Sequence, residues 1–246
     1  MPSFTDKLTV GGSEMDMYAA LPSGDGPHPA VVIAFHIGGL DDFDRKMADQ
    51  LAEAGFVAVV PDLFHRYSAE VMSGPVMERL GHLQDPDIIA DMNAAVDFLT
   101  ANSAIDSDHI GVTGFCMGGR IAWLMAATNP IFKCTVPFYG GNIQGNWGPG
   151  EAPYSMANNI NCPMLFHFGS TDSNPSVDDR DKYDAELTRL GKDFEFHTYD
   201  GAGHAFIDYT NPDRHHEAAA AAAWPAAKSP SSSLSKVGTV TSSPAA

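Results

Sequence analysis

The feature that most limits what this chain can fold into is an alternation of short apolar runs with segments of helical spacing. "AVVIAFH" (30–36) and "FVAVVPDLF" (56–64) are continuous apolar runs of strand length, the pattern of strands covered on both faces. "DRKMADQLAEAG" (44–55) between them has helical spacing and a glycine stop, and "DPDIIADMNAAVDFLTAN" (85–102) is an amphipathic helix with acidic residues in its first turn. The alternation continues with a strand at 110–115, a helix at 116–128, strands at 134–140 and 163–169, a helix at 176–191 and a strand at 194–200. Strands that alternate with helices in this way lie parallel, joined by crossover helices on both faces of one sheet, so an α/β fold with a mostly parallel central sheet is expected.

The flanks are simpler. Alternating segments at 4–10 and 14–22 around "GGS" read as a hairpin at the sheet edge. "HHEAAAAAAWPAAK" (215–228) reads as a last helix interrupted by Pro225. From 229 to 246 a Ser/Pro/Ala-rich stretch has too few large apolar residues to bury, which predicts one domain over 1–228 and a flexible tail.

Within this frame "GFCMG" (114–118) has the spacing of a nucleophile elbow between a predicted strand and a predicted helix. A glycine two residues on either side permits the tight turn that lifts a side chain out of the sheet. The N-terminus of the following helix favours a thiolate at Cys116. This fold uses the order nucleophile, acid, histidine, and both partners occur. Asp172 follows the strand "PMLFHFG" and His204 follows the strand "FEFHTYD", each in a loop at a strand's carboxyl end, where open α/β sheets meet their ligands. In this arrangement His204 takes the thiol proton and later activates water, Asp172 fixes the imidazole, and the acyl-enzyme is a thioester. The oxyanion needs two donors, assigned to the backbone N–H groups of Met117 and Ile37, with Gly38 and Gly39 letting the second loop come close.

Composition narrows the partners. The chain has 31 acidic against 14 basic residues, a formal charge of −17, and this field repels phosphate backbones and anionic headgroups. Neither nucleic acid nor a membrane is expected as a partner, and the sequence does not separate a monomer from a homodimer. Three cysteines, Cys116, Cys134 and Cys162, odd in number and without metal-ligand spacing, are not a disulfide framework. With no basic, then apolar, leader at the N-terminus, the chain reads as cytoplasmic. Cys134 and Cys162 begin strands and are expected to be inert core residues.

At these residues the sequence resembles the dienelactone hydrolase (carboxymethylenebutenolidase) family of α/β-hydrolases. The resemblance rests on "GFVAVVPDLFHR" (55–66), "GFCMGGR" (114–120), "FYGG" (138–141), "FHFGSTD" (166–172) and "YDGAGHAF" (199–206). It implies a Cys116–His204–Asp172 triad that hydrolyses a small lactone or other ester without a cofactor or metal. Two departures bear on the substrate. Where family members carry a glutamate after the first buried strand, this chain has His36, and where they carry an arginine four residues after the catalytic histidine it has Asp208.

His36 has two readings, a structural residue of an oxyanion loop "HIGG" or a second base that replaces the glutamate. The acid at 208 favours an uncharged ester, lactone or thioester over a carboxylate-bearing lactone. A non-catalytic binding scaffold is a third possibility, disfavoured by three separated triad residues in working order. His36, Tyr139, Trp147 and Phe206 are candidate pocket residues, the aromatic ones equally suited to core packing. Arg120 reads as half of a structural ion pair; Arg79 is a candidate for a second arginine that the resemblance implies, with a solvated surface residue the favoured reading.

Overall fold

A computed structural model describes residues 2–228, and the stretch predicted to be a tail, 229–246, lies outside the described residues. Eight strands form one sheet: β1 (Ser3–Val10), β2 (Ser13–Ala20), β3 (His28–Ala34), β4 (Val57–Pro61), β5 (Ile105–Phe115), β6 (Phe132–Phe138), β7 (Met164–Gly169) and β8 (Phe194–Tyr199), in the order β1-β2-β4-β3-β5-β6-β7-β8. The β1–β2 hairpin is antiparallel, and β2 joins β4 antiparallel through Ala19–Val59 and its neighbours. Every other pairing is parallel. The α/β-hydrolase class expected from the sequence is the class observed.

Burial explains the arrangement. β4 and β7 are buried at every residue and β6 at all but one, so the central sheet is covered on both faces, as parallel sheets require. β1 at the edge is mostly exposed. β5 starts at Ile105, five residues earlier than the sequence predicts, because "DSDH" is too polar to read as strand. This part is largely exposed and leads to an irregular register against β3 before regular pairing from Ala30–Ile110.

The crossover helices are α1 (Asp42–Glu53), α3 (Asp85–Thr100), α4 (Met117–Thr128) and α5 (Val177–Arg189), and α6 (Glu217–Lys228) follows β8. Asp41 caps α1 by accepting from the amides of Phe43 and Asp44 at 2.9 and 3.4 Å. Ser176 and Asp179 form a reciprocal capping box on α5. Pro225 does not interrupt α6: the helix runs through it, because Pro225 is exposed and the carbonyl it leaves unbonded can reach water. A short helix α2 (Ala69–Ser73) and 3₁₀ segments at 76–82 and 153–159 are additional.

The chain runs from β3 through α1 to β4 on one side, then crosses to β5 on the other. The strand order therefore reverses between β3 and β5, and the crevice beyond their carboxyl ends is where such sheets bind ligands. The loop His36–Gly39 leaves β3 there, and the turn at Cys116 leaves β5 beside it.

Candidate active site

The turn at Cys116 is strained in the way the elbow spacing implies. Its φ of 56° lies in the left-handed region, uncommon for a residue with a Cβ and a recurring feature of functional turns. The flanking glycines answer a steric demand. A Cβ on Gly114 would lie 2.1 Å from the Gly118 carbonyl oxygen, and one on Gly118 would lie 1.9 Å from that of Ala34. Strand β5, helix α4 and strand β3 touch backbone to backbone here, and the Cys116 amide ties the turn to the end of β6 through Phe138 O at 3.1 Å.

His204 and Asp172 reach this turn from the ends of β8 and β7. His204 Nδ1 and Asp172 Oδ2 are 2.9 Å apart, and the second carboxylate oxygen of Asp172 accepts from the Asn174 amide at 2.8 Å. Asp172 is buried, so this hydrogen bond forms in a medium that strengthens it. Burial alone works against the His204 imidazolium, but hydrogen bonds to Asp172 and Cys116 and the charges of both push its pKa up to about 10. Burial likewise opposes a Cys116 thiolate. It is outweighed by the hydrogen bond and charge of His204, the Met117 N–H and the His36 charge, so the thiol pKa falls below its ordinary value. Each shift favours the charged form of its group, the thiolate at Cys116 and the imidazolium at His204.

These groups open into a cavity of about 310 Å³, lined in part by His36, Ile37, Cys116, Tyr139 and His204. That is the small end of ligand-pocket sizes. Tyr139 packs edge-on against the His204 ring at 5.1 Å, on a backbone with φ of 37°. Two aromatic expectations need correction. Phe206 is fully buried behind Tyr139 and Tyr199 at 5.4 and 5.2 Å and does not line the cavity. Trp147 also stands away from it. Its ring lies 3.7 Å from the Arg120 guanidinium, and its backbone exchanges hydrogen bonds with Asp85. Aromatic type near a strand end carries no information about which way a ring faces, and packing claimed both.

Arg120 makes the ion pair expected of it, with Asp85 at 2.7 and 2.9 Å. Arg79 is not the solvated residue its sequence context suggests. It is 8% exposed and donates to the carbonyls of Ile37, Gly38 and Met72. Cys134 and Cys162 are buried as expected, and burial pushes the Cys162 thiol up to about 11. Sequence reasoning missed Phe43, Val76, Met77 and Arg214 as cavity residues. The one available signal was Arg214, a cation in the glycine-free loop that follows His204 in an acidic chain.

His36 belongs to its own loop. Its Nε2 lies 2.8 Å from Asp41 and 3.5 Å from Asp44, and its Nδ1 faces the Gly38 amide at 3.3 Å. The ring lies so close over Gly38 that a Cβ there would meet Cε1 at 2.4 Å. Burial and the Gly38 N–H that faces Nδ1 both disfavour the imidazolium, but Asp41, Asp44 and Asp208 together raise its pKa to about 9, and protonation breaks the Gly38 contact. Asp44 is fully buried, and neither carboxyl oxygen has a hydrogen-bond partner, the His36 contact at 3.5 Å being an ion pair only. Burial first, then the charges of Asp41 and Asp208, push its pKa well up against the opposing His36 charge. His36, Asp41 and Asp44 offer ligand atoms within 4.8 Å of one another. A metal-binding Nε2 would need the proton on Nδ1, where the Gly38 N–H already points, while Asp41 caps α1 through Oδ1 and turns Oδ2 to His36 Nε2. The His36 ring is committed on both nitrogens, to Asp41 and to the Gly38 amide, and in that arrangement has no lone pair left for an ion.

Comparison with known proteins gives the family and the fold. The family model described as "Dienelactone hydrolase family" matches residues 15–230. A Methylorubrum extorquens protein named "Putative carboxymethylenebutenolidase" is 30% identical over 213 residues, covering 82% of this chain and 72% of that protein. A Bradyrhizobium protein named "Probable 2-oxo-3-(5-oxofuran-2-ylidene)propanoate lactonase" is 31% identical over 224 residues, covering 88% of each. Among solved structures, the dienelactone hydrolase-like promiscuous phosphotriesterase P91 from metagenomic libraries superposes with a TM-score of 0.79 at 24% identity, covering 92% of this chain and 95% of that one. The chain belongs to the dienelactone hydrolase family and is a hydrolase with the α/β-hydrolase fold.

Proposed function

We propose that this hydrolase cleaves a small ester or lactone through a thioester on Cys116. The observation that carries the reading is the coupled Cys116–His204 pair, with Asp172 2.9 Å behind the imidazole, at the floor of a cavity sized for a small ligand. The Cys116 thiolate attacks the carbonyl carbon, and the carbonyl π electrons move to oxygen. The amides of Ile37 and Met117 receive that oxyanion. Collapse expels the alkoxide, which takes the proton from the His204 imidazolium and leaves the acyl group on sulfur. Water then attacks the thioester as neutral His204 accepts its proton, and the thiolate departs from the released acid. Asp172 holds the imidazole orientation and stabilises its cationic form throughout.

The substrate we favour is uncharged at the end that enters the cavity. Asp208 lines it, nine-tenths buried and held by the Thr210 amide and hydroxyl at 2.9 and 2.6 Å, and it repels a carboxylate. Exposed Arg214 in the same lining supports a second reading, a carboxylate-bearing substrate met at the mouth. Comparing kcat/KM for a carboxylated lactone and its neutral ester, in the parent and in Arg214→Ala, separates the two. A preference for the anion above about tenfold, ~1.4 kcal/mol, that is lost in Arg214→Ala establishes the second reading and overturns the role given to Asp208.

A further inference from the structure

Arg79 is a buried cation without a counter-ion: among the described residues it forms no ion pair, and its Nε meets no acceptor. Its guanidinium lies 5.8 Å over the Phe64 ring. Nη1 donates to Gly38 O at 2.9 Å and to Ile37 O at 3.4 Å, and Nη2 donates to Met72 O at 2.7 Å. Burying an unpaired charge is costly, so what its hydrogens hold is informative.

The loop after β3 can be accounted for group by group. Arg79 takes the carbonyls of Ile37 and Gly38. The neutral His36 ring takes the Gly38 amide, and the His36 carbonyl takes the Gly39 amide at 3.0 Å. From the His36 carbonyl through the Gly39 amide, the one backbone group left without a partner among the described residues is the Ile37 N–H, on a residue that lines the cavity with Cys116. A peptide group's carbonyl and amide are fixed in one plane, so turning two successive carbonyls into a guanidinium sets the loop's shape and keeps their negative ends off the site.

We infer that Arg79 is a positioning residue for hydrolysis: by gripping the carbonyls of Ile37 and Gly38 it holds the loop in the form that offers the Ile37 N–H to the substrate oxyanion. It does not touch substrate; Arg79 is absent from the cavity lining. The inference rests on the Cys116 acyl-transfer reading above. Val76 and Met77, exposed at the cavity and two or three residues before Arg79 on the same 3₁₀ segment, place an apolar rim on the element that carries the grip.

The test uses the full chain with Arg79→Met and Arg79→Lys, a neutral activated ester, and alkylation of Cys116 by iodoacetamide. Alkylation needs the thiolate but forms no oxyanion, so it reports the nucleophile alone. Removing an oxyanion donor outright costs about 10²–10³ in kcat, and a misplaced one less, so Arg79→Met should lower kcat about tenfold or more. KM should move by less than about threefold and alkylation by less than about twofold, because neither depends on the oxyanion. Arg79→Lys keeps the charge without the two-pronged fork and should recover part of kcat. If Arg79→Met does not fold, Arg79→Lys decides alone, by a reduced kcat at unchanged alkylation.

Parent-level kcat in both variants overturns the inference. So does an equal fall in hydrolysis and alkylation, which marks a general structural role, or a KM rise confined to a carboxylated substrate, which marks direct binding. Hydrolysis that persists in Cys116→Ala would instead overturn the reading beneath it, and the two failures are distinct.

Discussion

Asp85→Asn should destabilise the protein more than any surface change, and the geometry sets the amount. Asp85 and Arg120 are 4% and 0% exposed. The carboxylate takes two guanidinium hydrogens at 2.7 and 2.9 Å and the Trp147 amide at 2.9 Å, and Arg120 also donates to Gly145 O at 2.7 Å and Asn142 O at 3.2 Å. The pair therefore ties α3 and the first turn of α4 to the loop beyond Tyr139. An asparagine keeps the shape, removes the counter-ion and turns an NH2 toward a donor. Removing one partner of a buried pair costs ~3–5 kcal/mol. The two loop carbonyls still hold Arg120 at about 1 kcal/mol each, which places the loss near the lower bound, about 3 kcal/mol. For a domain of this size that is a fall in Tm of about 6–12 °C.

Thermal and urea unfolding of Asp85→Asn, together with a cycle of Asp85→Leu, Arg120→Met and the pair Asp85→Leu/Arg120→Met, provide the measurement. Removing both charges spares the unpaired ion, so the double variant should lose at least about 1 kcal/mol less than the sum of the singles. A loss below about 1 kcal/mol in Asp85→Asn, or single effects that add to within about 0.5 kcal/mol, would refute the reasoning.

Gly118→Ala places a Cβ 1.9 Å from Ala34 O, a backbone atom that cannot swing aside, and should abolish activity or folding. Gly81→Ala, where nothing lies within 4 Å, should be silent in the same assays. His36 binds protons more tightly folded than unfolded, its pKa raised from 6.5 to about 9, so its contribution is full below about pH 6.5 and lost as pH rises through about 9. His36→Gln should accordingly lose on the order of 1–2 kcal/mol at pH 6, allowing for the part-exposed Asp41, and much less at pH 9.5; equal losses would contradict the pairing. Asp172→Asn, which presents the wrong partner to His204 Nδ1, should lower kcat by about 10²–10⁴, read by steady-state kinetics well below the melting temperature, and should also lower Tm, because it removes one partner of a buried pair.

How far the sequence could be read follows from what each feature depends on. Strands with continuous apolar runs, such as 30–36 and 56–64, were legible because burial on both faces leaves a compositional trace. Cys116, Asp172 and His204 were legible because each stands at a strand end in a fixed order, and the glycines around Cys116 record a backbone contact. The start of β5 at Ile105 was not, since one buried residue is followed by the polar stretch 106–109, half-buried or exposed, that breaks the apolar run. The short helix and 3₁₀ turn over 69–82 have no room for periodicity. Arg79 looks like any surface arginine in "VMERLG" because its acceptors are carbonyls from a loop 41 and 42 residues away, which leave no side-chain signature. The roles of Trp147 and Phe206 turned on ring orientation, a property of tertiary packing. The partners of His36 are near in sequence, yet nothing local shows that Asp44 turns inward.

The central claim is that Cys116 carries the acyl group. Intact-protein mass spectrometry after rapid mixing with a neutral activated ester, followed by quenching in acid, tests it directly across about pH 6 to 9. The account predicts a stoichiometric adduct mapped to Cys116, sensitive to hydroxylamine as a thioester is, absent in Cys116→Ala and long-lived in His204→Ala. An adduct on another residue, or full hydrolysis by Cys116→Ala, would contradict it.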